Sequence, residues 1–352
     1  MSEIDPNTFD PINSAVDTAG NSLDLKEQKI REILMRYMQS DDRSAWFQMA
    51  NTFVPFFGLS ILAFYVLKIG GHPAWFVLFD TILGLLIVRM YVLQHDCGHF
   101  SLFATRKWNN FFGIIFSIFT LTPLCNWRIE HNLHHLSVCN VEKNDEGYFW
   151  LMTTEEYANS SPLVRFVYRG YKTPFVQFGI GVWLFFIFIR RIPGDFRRPF
   201  HRKFRDTYWT NIGVFVFYPL LYFVFGGQAM LWIVLPSLLI AISITVWGFY
   251  VQHFFPGAYW DNAPTWDAYT ACMKGSSYFD LPKILLWFSA DISVHHIHHI
   301  NPRIPNYNLQ KCMRENAELR PEKSFGLLES FSYYKLQLWD QDKQAFVPIN
   351  AV

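Results

Sequence analysis

Charge is scarce in this chain. Asp, Glu, Lys and Arg make up only 17% of its 352 residues, and they nearly cancel to a net +1. Net charge so near zero gives no global polybasic argument for nucleic acid, and none is expected as a partner. Cysteine is scarce as well. Cys97, Cys125, Cys139, Cys272 and Cys312 are scattered and odd in number, and no two form C-x-x-C. That argues against a disulfide framework and a cysteine zinc site, and for free thiols in a reducing compartment. The first 44 residues hold no long apolar run, so no cleavable signal peptide is expected.

Apolar and aromatic side chains are what the chain has instead: 51% of residues are hydrophobic and 19% aromatic, with 36 Phe. That balance points to the membrane. After a stretch at 1–21 that reads as disordered, Ile30, Ile33, Leu34, Tyr37 and Met38 share one face of an amphipathic helix over about 25–39, packed on the rest of the protein. Four runs of about 20 residues are long enough to cross a bilayer core of about 30 Å: 46–67, 73–93, 208–225 and 229–252. Tight turns at Gly70-Gly71 and Gly226-Gly227 pair them into two hairpins. Two shorter apolar stretches, 111–124 and 173–189, are ambiguous on hydropathy alone.

The segment 190–205, RRIPGDFRRPFHRKFR, holds seven Lys or Arg, whereas the two hairpin turns hold one Lys and no Arg. The positive-inside rule places this segment, both termini and the ends of spans two and four in the cytosol. Asp80 and Arg89 lie in or near the end of span two. The reading for them is a hydrogen bond from Asp80 to another span and an Arg89 that reaches the headgroups.

The histidines carry the chemistry. The chain has 12, and eight fall in three patterns: His95-x-x-x-His99, His131-x-x-His134-His135 and His295-x-x-His298-His299. Residues i, i+3 and i+4 share a helix face, so each pattern aims its imidazoles one way. His253, closing the fourth span, is a ninth. His296 points about 100° away from its neighbours and is expected to support them, as is Asp96 in the first pattern. His72 and His201 read as ordinary histidines. Nine imidazoles exceed what one metal takes, which suggests two metals with four to five each. Neutral imidazole suits Fe, Zn, Cu or Ni, and a closed structural zinc needs only four ligands. If all clusters meet on one side of the membrane, 111–124 and 173–189 must add no net crossing, so both are expected to be interfacial or re-entrant.

At these residues the sequence resembles the integral-membrane fatty-acid desaturases, whose three histidine boxes match 95–99, 131–135 and 295–299. WRIEHNLHH, EKNDEGYFW, FYVQHFFPGAYW, GSSYFDLPKILLWF and HHIHHINPRIPNYNLQKC look like the bacterial and cyanobacterial acyl-lipid type, related to Δ12 (omega-6) enzymes. The resemblance covers about 46–321. It implies an all-α integral membrane protein of four transmembrane helices in two hairpins, with a cytosolic helical cap around a di-iron centre. The domains would be a cytosolic N-terminal tail and amphipathic helix (1–44), the membrane desaturase domain (45–320) and a cytosolic C-terminal tail (321–352). The implied ligands are His95, His99, His131, His134, His135, His295, His298 and His299. Animal acyl-CoA members add a histidine where this chain has His253, and an Asn holding a metal-bound water where it has Phe249.

The implied cofactors are two iron ions, with O2 as co-substrate. The implied substrate is a lipid-linked acyl chain, in a multi-pass protein of a bacterial inner membrane with its active site in the cytosol. An alkyl chain offers no acidic proton, so its hydrogens must be removed oxidatively. Two electrons must then come from a donor, expected to be a separate ferredoxin or b5-type cytochrome. The His-Pro-Gly-Gly haem motif of a fused donor is missing, and Gly70-Gly71-His72-Pro73 merely reverses it. The histidine boxes are shared with membrane hydroxylases of alkanes, fatty acids and carotenoids, which form the alternative. A metal transporter would carry its histidines within the spans along a path, which these do not.

Overall fold

The computed structural model describes residues 25–143, 149–192, 205–262 and 264–352. Residues 1–21, most of the basic segment 190–205, His201 and part of EKNDEGYFW therefore lie outside the described residues. Helix dominates. The elements that position the site are α1 (Leu25–Met35), α2 (Asp42–Lys68), α3 (Ala74–Gly98), α4 (Arg106–Thr120), α5 (Leu124–Ser137), α6 (Pro162–Tyr171) and α7 (Gly181–Ile187). They continue with α8 (Arg205–Ala229), α9 (Leu235–His253), α10 (Ala268–Gly275), α11 (Lys283–Phe288), α12 (His295–Ile300) and α13 (Asn306–Glu315). The all-helical expectation needs one amendment. Among the described residues there are five short strands: β1 (Met152–Thr153), β2 (Tyr278–Asp280), β3 (Ser324–Gly326), β4 (Leu338–Asp340) and β5 (Ala345–Val347).

Among the described residues, three helices are long and apolar enough to cross a membrane, or five if each of two bent pairs is one span. The first is α2, started by the Asp41 carboxylate, which accepts the amides of Arg43 and Ser44 at 3.2 and 3.0 Å. It turns apolar side chains outward, with Val54 71% and Ile61 65% exposed, as a helix solvated by lipid does. The second is α3, buried along most of its length between α2, α4 and α9. The third run, Asp206–His253, is 48 residues long. A straight helix of that length would measure about 72 Å, more than twice the bilayer core. The run is broken at Gly226, where φ 85° and ψ 168° take the backbone out of the helix. Only glycine adopts that geometry without strain.

The ambiguous stretches bend. Helix α4 ends at Leu121 in the left-handed conformation (φ 53°), and α5 leaves at 96° to it. Buried Gln94 of α3 fastens the bend. Its amide donates to Ser117 Oγ (3.1 Å) and the Thr122 carbonyl (2.6 Å), and its carbonyl accepts from Thr120 Oγ1 (2.5 Å). The segment holding α6 and α7 turns by 67°.

The ionisable residues of α3 are bonded within the protein. Ser237 of α9 donates to Asp80 at 3.4 Å, the expected bond to another span. Arg89 departs from expectation. It is 2% exposed and does not reach out to headgroups. Its guanidinium donates to Thr52 Oγ1 (2.9 Å) and Asn51 Oδ1 (3.2 Å) of α2 and to the Trp287 carbonyl of α11, and lies over the Trp287 ring. Five donors in a rigid fork let one arginine tie three helices.

Above these helices sits a cap with its own core. Ile30 and Leu34 of α1 pack with Ile297 and Ile300 of α12, Leu309 of α13 and Trp339 of β4. Residues 321–352 are woven into it: β4 pairs in parallel with β1 and antiparallel with β5, and β3 pairs in parallel with β2. Lys172, following α6, is buried here. Its ammonium lies over the rings of Tyr168, Tyr250 and Phe254 at 5.3–5.8 Å and has no hydrogen-bond partner. Burial pushes its pKa down to about 7. A base depressed on folding costs stability most below its folded pKa, and the cost fades as pH rises towards its unfolded value of about 10.5. Lys172→Met is therefore expected to raise stability by about 2–4 kcal/mol at pH 6–7, a gain that shrinks towards pH 10. Thermal melts across that range check it.

Candidate metal centre

Four helix ends meet beneath the cap. The last turn of α3 presents His95, and His99 is its C-terminal cap. Helix α5 presents His131, His134 and His135, α12 presents His295, His298 and His299, and α9 ends on His253. Helix α12 has only six residues, too few to be stable alone. It is held by its two isoleucines, with Ile297 at 0% and Ile300 at 5% exposure. All nine histidines are buried.

Their ring nitrogens divide into two groups, within each of which all ligand atoms lie within 4.8 Å of one another: His95, His99, His131, His135 and His298, and His134, His253, His295 and His299. The division follows the spacing. Every i, i+4 pair stays in one group, and the middle histidine of each H-x-x-H-H pattern crosses to the other. Helices α5 and α12 thereby contribute to both groups in opposite proportions.

Within the first group, Nε2 atoms are 3.0 Å apart for His131 and His95, 3.1 Å for His135 and His131, and 3.1 Å for His298 and His135. In the second they are 3.2 Å apart for His134 and His253, and 3.0 Å for both His295–His253 and His299–His295. A neutral imidazole has one N–H, and that of His253 is set by the Gly275 carbonyl, 3.2 Å from Nδ1, which leaves the Nε2 lone pair facing inward. Buried lone pairs converging in this way are the arrangement a cation satisfies. The spacing is informative about geometry. Ligands 90° apart at about 2.1–2.2 Å from a metal are about 3.0–3.1 Å from each other, whereas tetrahedral zinc ligands at about 2.0–2.1 Å are about 3.3–3.4 Å apart. These nearest-neighbour distances lie at or near that octahedral edge, and an all-imidazole donor set suits iron among several transition metals.

Burial, reinforced by neighbouring imidazoles, holds His131, His134, His135, His295, His298 and His299 well below the usual histidine range. The rings are therefore neutral, the form that binds metal. His296 stands apart, as its helical angle requires. Its Nε2 is 2.9 Å from the Leu319 carbonyl, and burial pushes its pKa down to about 4. Asp96 Oδ1 lies 3.2 Å from His95 Nδ1, and its Oδ2 accepts the Asn306 amide of α13 at 2.7 Å. His72 accepts the Ala74 amide at 3.2 Å, far from the cluster in sequence and in place. Phe249, one turn before His253, lays its ring 5.0 Å from that of His134 and 5.4 Å from that of His253, and stacks on Phe149.

Sequence reasoning did not select Trp127, whose indole stacks on His131 with centroids 4.4 Å apart. Its i, i+4 spacing to His131 was the available signal. The Gly275 carbonyl left none, because backbone acceptors have no residue signature.

The fold and site define a helical membrane protein in which two buried, all-histidine groups can each hold a metal ion. The sequence family described as Fatty acid desaturase matches residues 71–330. The chain is 32% identical over 328 residues to a fatty acid desaturase of Bacillus subtilis (strain 168), covering 93% of this chain and 92% of that one. It is 28% identical over 264 residues to an sn-1 oleoyl-lipid 12-desaturase of Picosynechococcus sp., covering 72% and 70%. Another sn-1 oleoyl-lipid 12-desaturase, of Anabaena variabilis, is 26% identical over 321 residues, covering 82% of each chain. This protein belongs to the fatty acid desaturase family, whose members are oxidoreductases.

The two kinds of buried histidine separate by mutation. His298→Ala is expected to lower the amount of metal bound per chain. His296→Ala is expected to leave bound metal unchanged and to lower stability by about 1–3 kcal/mol, the cost of an unpartnered buried carbonyl at Leu319. Metal analysis beside thermal melts checks both.

Proposed function

We propose that the protein introduces a double bond into a lipid-linked acyl chain by O2-dependent oxidation at a di-iron centre, with Δ12 (omega-6)-like selectivity. The observation that carries this is the gathering of nine buried imidazoles into groups of five and four within a desaturase-family chain. The acyl-lipid substrate and the Δ12 position draw on relatives that are 12-desaturases of oleoyl lipids.

The proposed ligands are the eight box histidines and His253. When bound, the iron pair supplies an O2-dependent oxidation strong enough to remove hydrogen from an unactivated alkyl chain. Two hydrogens leave adjacent carbons and two electrons come from the donor. With two further protons, O2 is thereby reduced to two waters. The chain's own residues orient the centre and keep it dry. Asp96 and the Gly275 carbonyl hold the rings of His95 and His253 through their outer nitrogens. Phe249 and Phe149 put an apolar wall against the four-histidine group where a polar side chain would hold water.

The proposed topology is four spans in two hairpins with both termini, the cap and the iron pair in the cytosol of a bacterium whose inner membrane holds the protein. Two features support it. His131 lies beside His95 and His134 beside His253, so the segments between them bring the chain back to one side. Those segments also bend by 96° and 67°. The electron donor is a separate ferredoxin or b5-type cytochrome that meets the cytosolic face.

Expression in a bacterium with a co-expressed ferredoxin system, followed by gas chromatography–mass spectrometry of the acyl chains, tests the reading. The expected product is an acyl chain with one added double bond, at carbon 12 on oleoyl chains, absent with His298→Ala. A hydroxy acid in its place would replace the desaturase by the hydroxylase alternative. A double bond elsewhere would remove the Δ12 assignment alone.

A further inference from the structure

We propose that Trp127 and Arg128 form a clamp that positions the first histidine box against the second, and that the five-histidine site depends on it while the four-histidine site does not. The inference rests on the di-iron reading above, but concerns residues that hold no metal themselves.

The two residues lie near the start of α5, adjacent in sequence and about 100° apart on the helix, and they grip the end of α3 from two directions. Trp127, 2% exposed, is the inner jaw. Its ring stacks on His131 at an interplanar angle of 22° and meets the rings of His95 and His99 edge-on at 5.2 and 5.9 Å. The indole N–H donates to Tyr91 Oη at 2.9 Å, one turn before His95 on α3. Gly98 makes room for this ring: a Cβ there would lie 2.2 Å from Trp127 Cζ3. The glycine between the two histidines of the first box is thus explained by the tryptophan four residues ahead of the second.

Arg128 is the outer jaw. Its Nε donates to the Gly98 carbonyl at 2.8 Å, and one terminal nitrogen reaches the Cys97 carbonyl (3.4 Å) and Asn110 Oδ1 (3.1 Å). The guanidinium also lies over the Phe100 ring at 4.2 Å. The last carbonyls of a helix have no partner within it, and they carry its negative dipole end. A buried cation there both satisfies them and fixes where the helix stops. His99, the last residue of the box, is placed by that stop.

The clamp touches one group only. Trp127 contacts His95, His99 and His131, all of the five-histidine group. His253, which anchors the other group, is held by Gly275 and by Trp260, whose indole donates to the His253 carbonyl at 3.2 Å. Loosening the clamp should therefore affect the two metals unequally.

The test is chelator-driven iron release from purified, iron-loaded protein, followed alongside iron content and Mössbauer spectra. Wild type is compared with Trp127→Ala, Trp127→Phe, Gly98→Ala and Arg128→Lys. Partners that orient metal ligands typically contribute 10–100-fold to affinity. The expected result is that Trp127→Ala and Gly98→Ala release one iron about 10–100-fold faster while the other keeps its wild-type rate and spectrum. Trp127→Phe keeps the stack and loses the bond to Tyr91, so a smaller change at the same iron is expected. It carries the test if Trp127→Ala is not monodisperse in detergent. Unchanged release from both sites, or equal acceleration at both, would overturn the clamp. A wild-type protein that binds no iron would instead contradict the di-iron reading.

Discussion

Nine imidazoles, buried and facing one another, are the constraint to which the rest of the molecule answers. Each ring brings a lone pair into a buried space, and neither group contains a carboxylate. Such a site is tolerable when positive charge sits at its centre, and the 3.0–3.2 Å between its nearest nitrogens is close to that of ligands 90° apart around a metal. Four helix ends must then be brought to one place and held there. Helix ends suit the task. Their last carbonyls are free to accept bonds from neighbouring segments, and their side chains can project beyond the membrane while the rest of the helix stays in it.

The membrane sets the second constraint. A backbone surrounded by lipid has to be helical, so the irregular turns that aim the histidines must lie outside the lipid or be covered by protein. The bend between α4 and α5 shows how this is done: Gln94 satisfies groups on both sides of the left-handed residue Leu121. Arg89 does the same for α2, α3 and α11. The cap closes the site from the other direction, with α1 from the N-terminal region and β4 from the C-terminal region sharing one hydrophobic core with α12. These polar ties are costly to leave unmade in a low-dielectric interior, which makes them rigid.

Some of this was legible in the amino-acid order and some was not. The histidine boxes were, because i, i+3 and i+4 spacing converts directly into a shared helix face. The apolar runs were, because their length is fixed by the bilayer. Which box shares a group with which was not, since it depends on how α3, α5, α9 and α12 are brought together, although within each box the i, i+4 spacing keeps its pair in one group. The five strands were not, because they are two or three residues long and pair across long separations: Met152 with Leu338, Tyr278 with Ser324. Arg89 was misjudged because its partners come from another helix and from a backbone carbonyl 198 residues away. Lys172 carries no signal for a related reason, as two of the rings around it, Tyr250 and Phe254, come from the distant end of α9.

The central claim is that the imidazoles surround two irons in open, octahedral-like geometry. X-ray absorption at the iron edge of the purified protein addresses it most directly. The account predicts about two irons per chain, a first shell of nitrogen and oxygen at about 2.1–2.2 Å, and multiple-scattering features of several imidazoles per iron. A single tetrahedral zinc with nitrogen ligands at about 2.0 Å, or a metal-free protein that still forms the product, would contradict it.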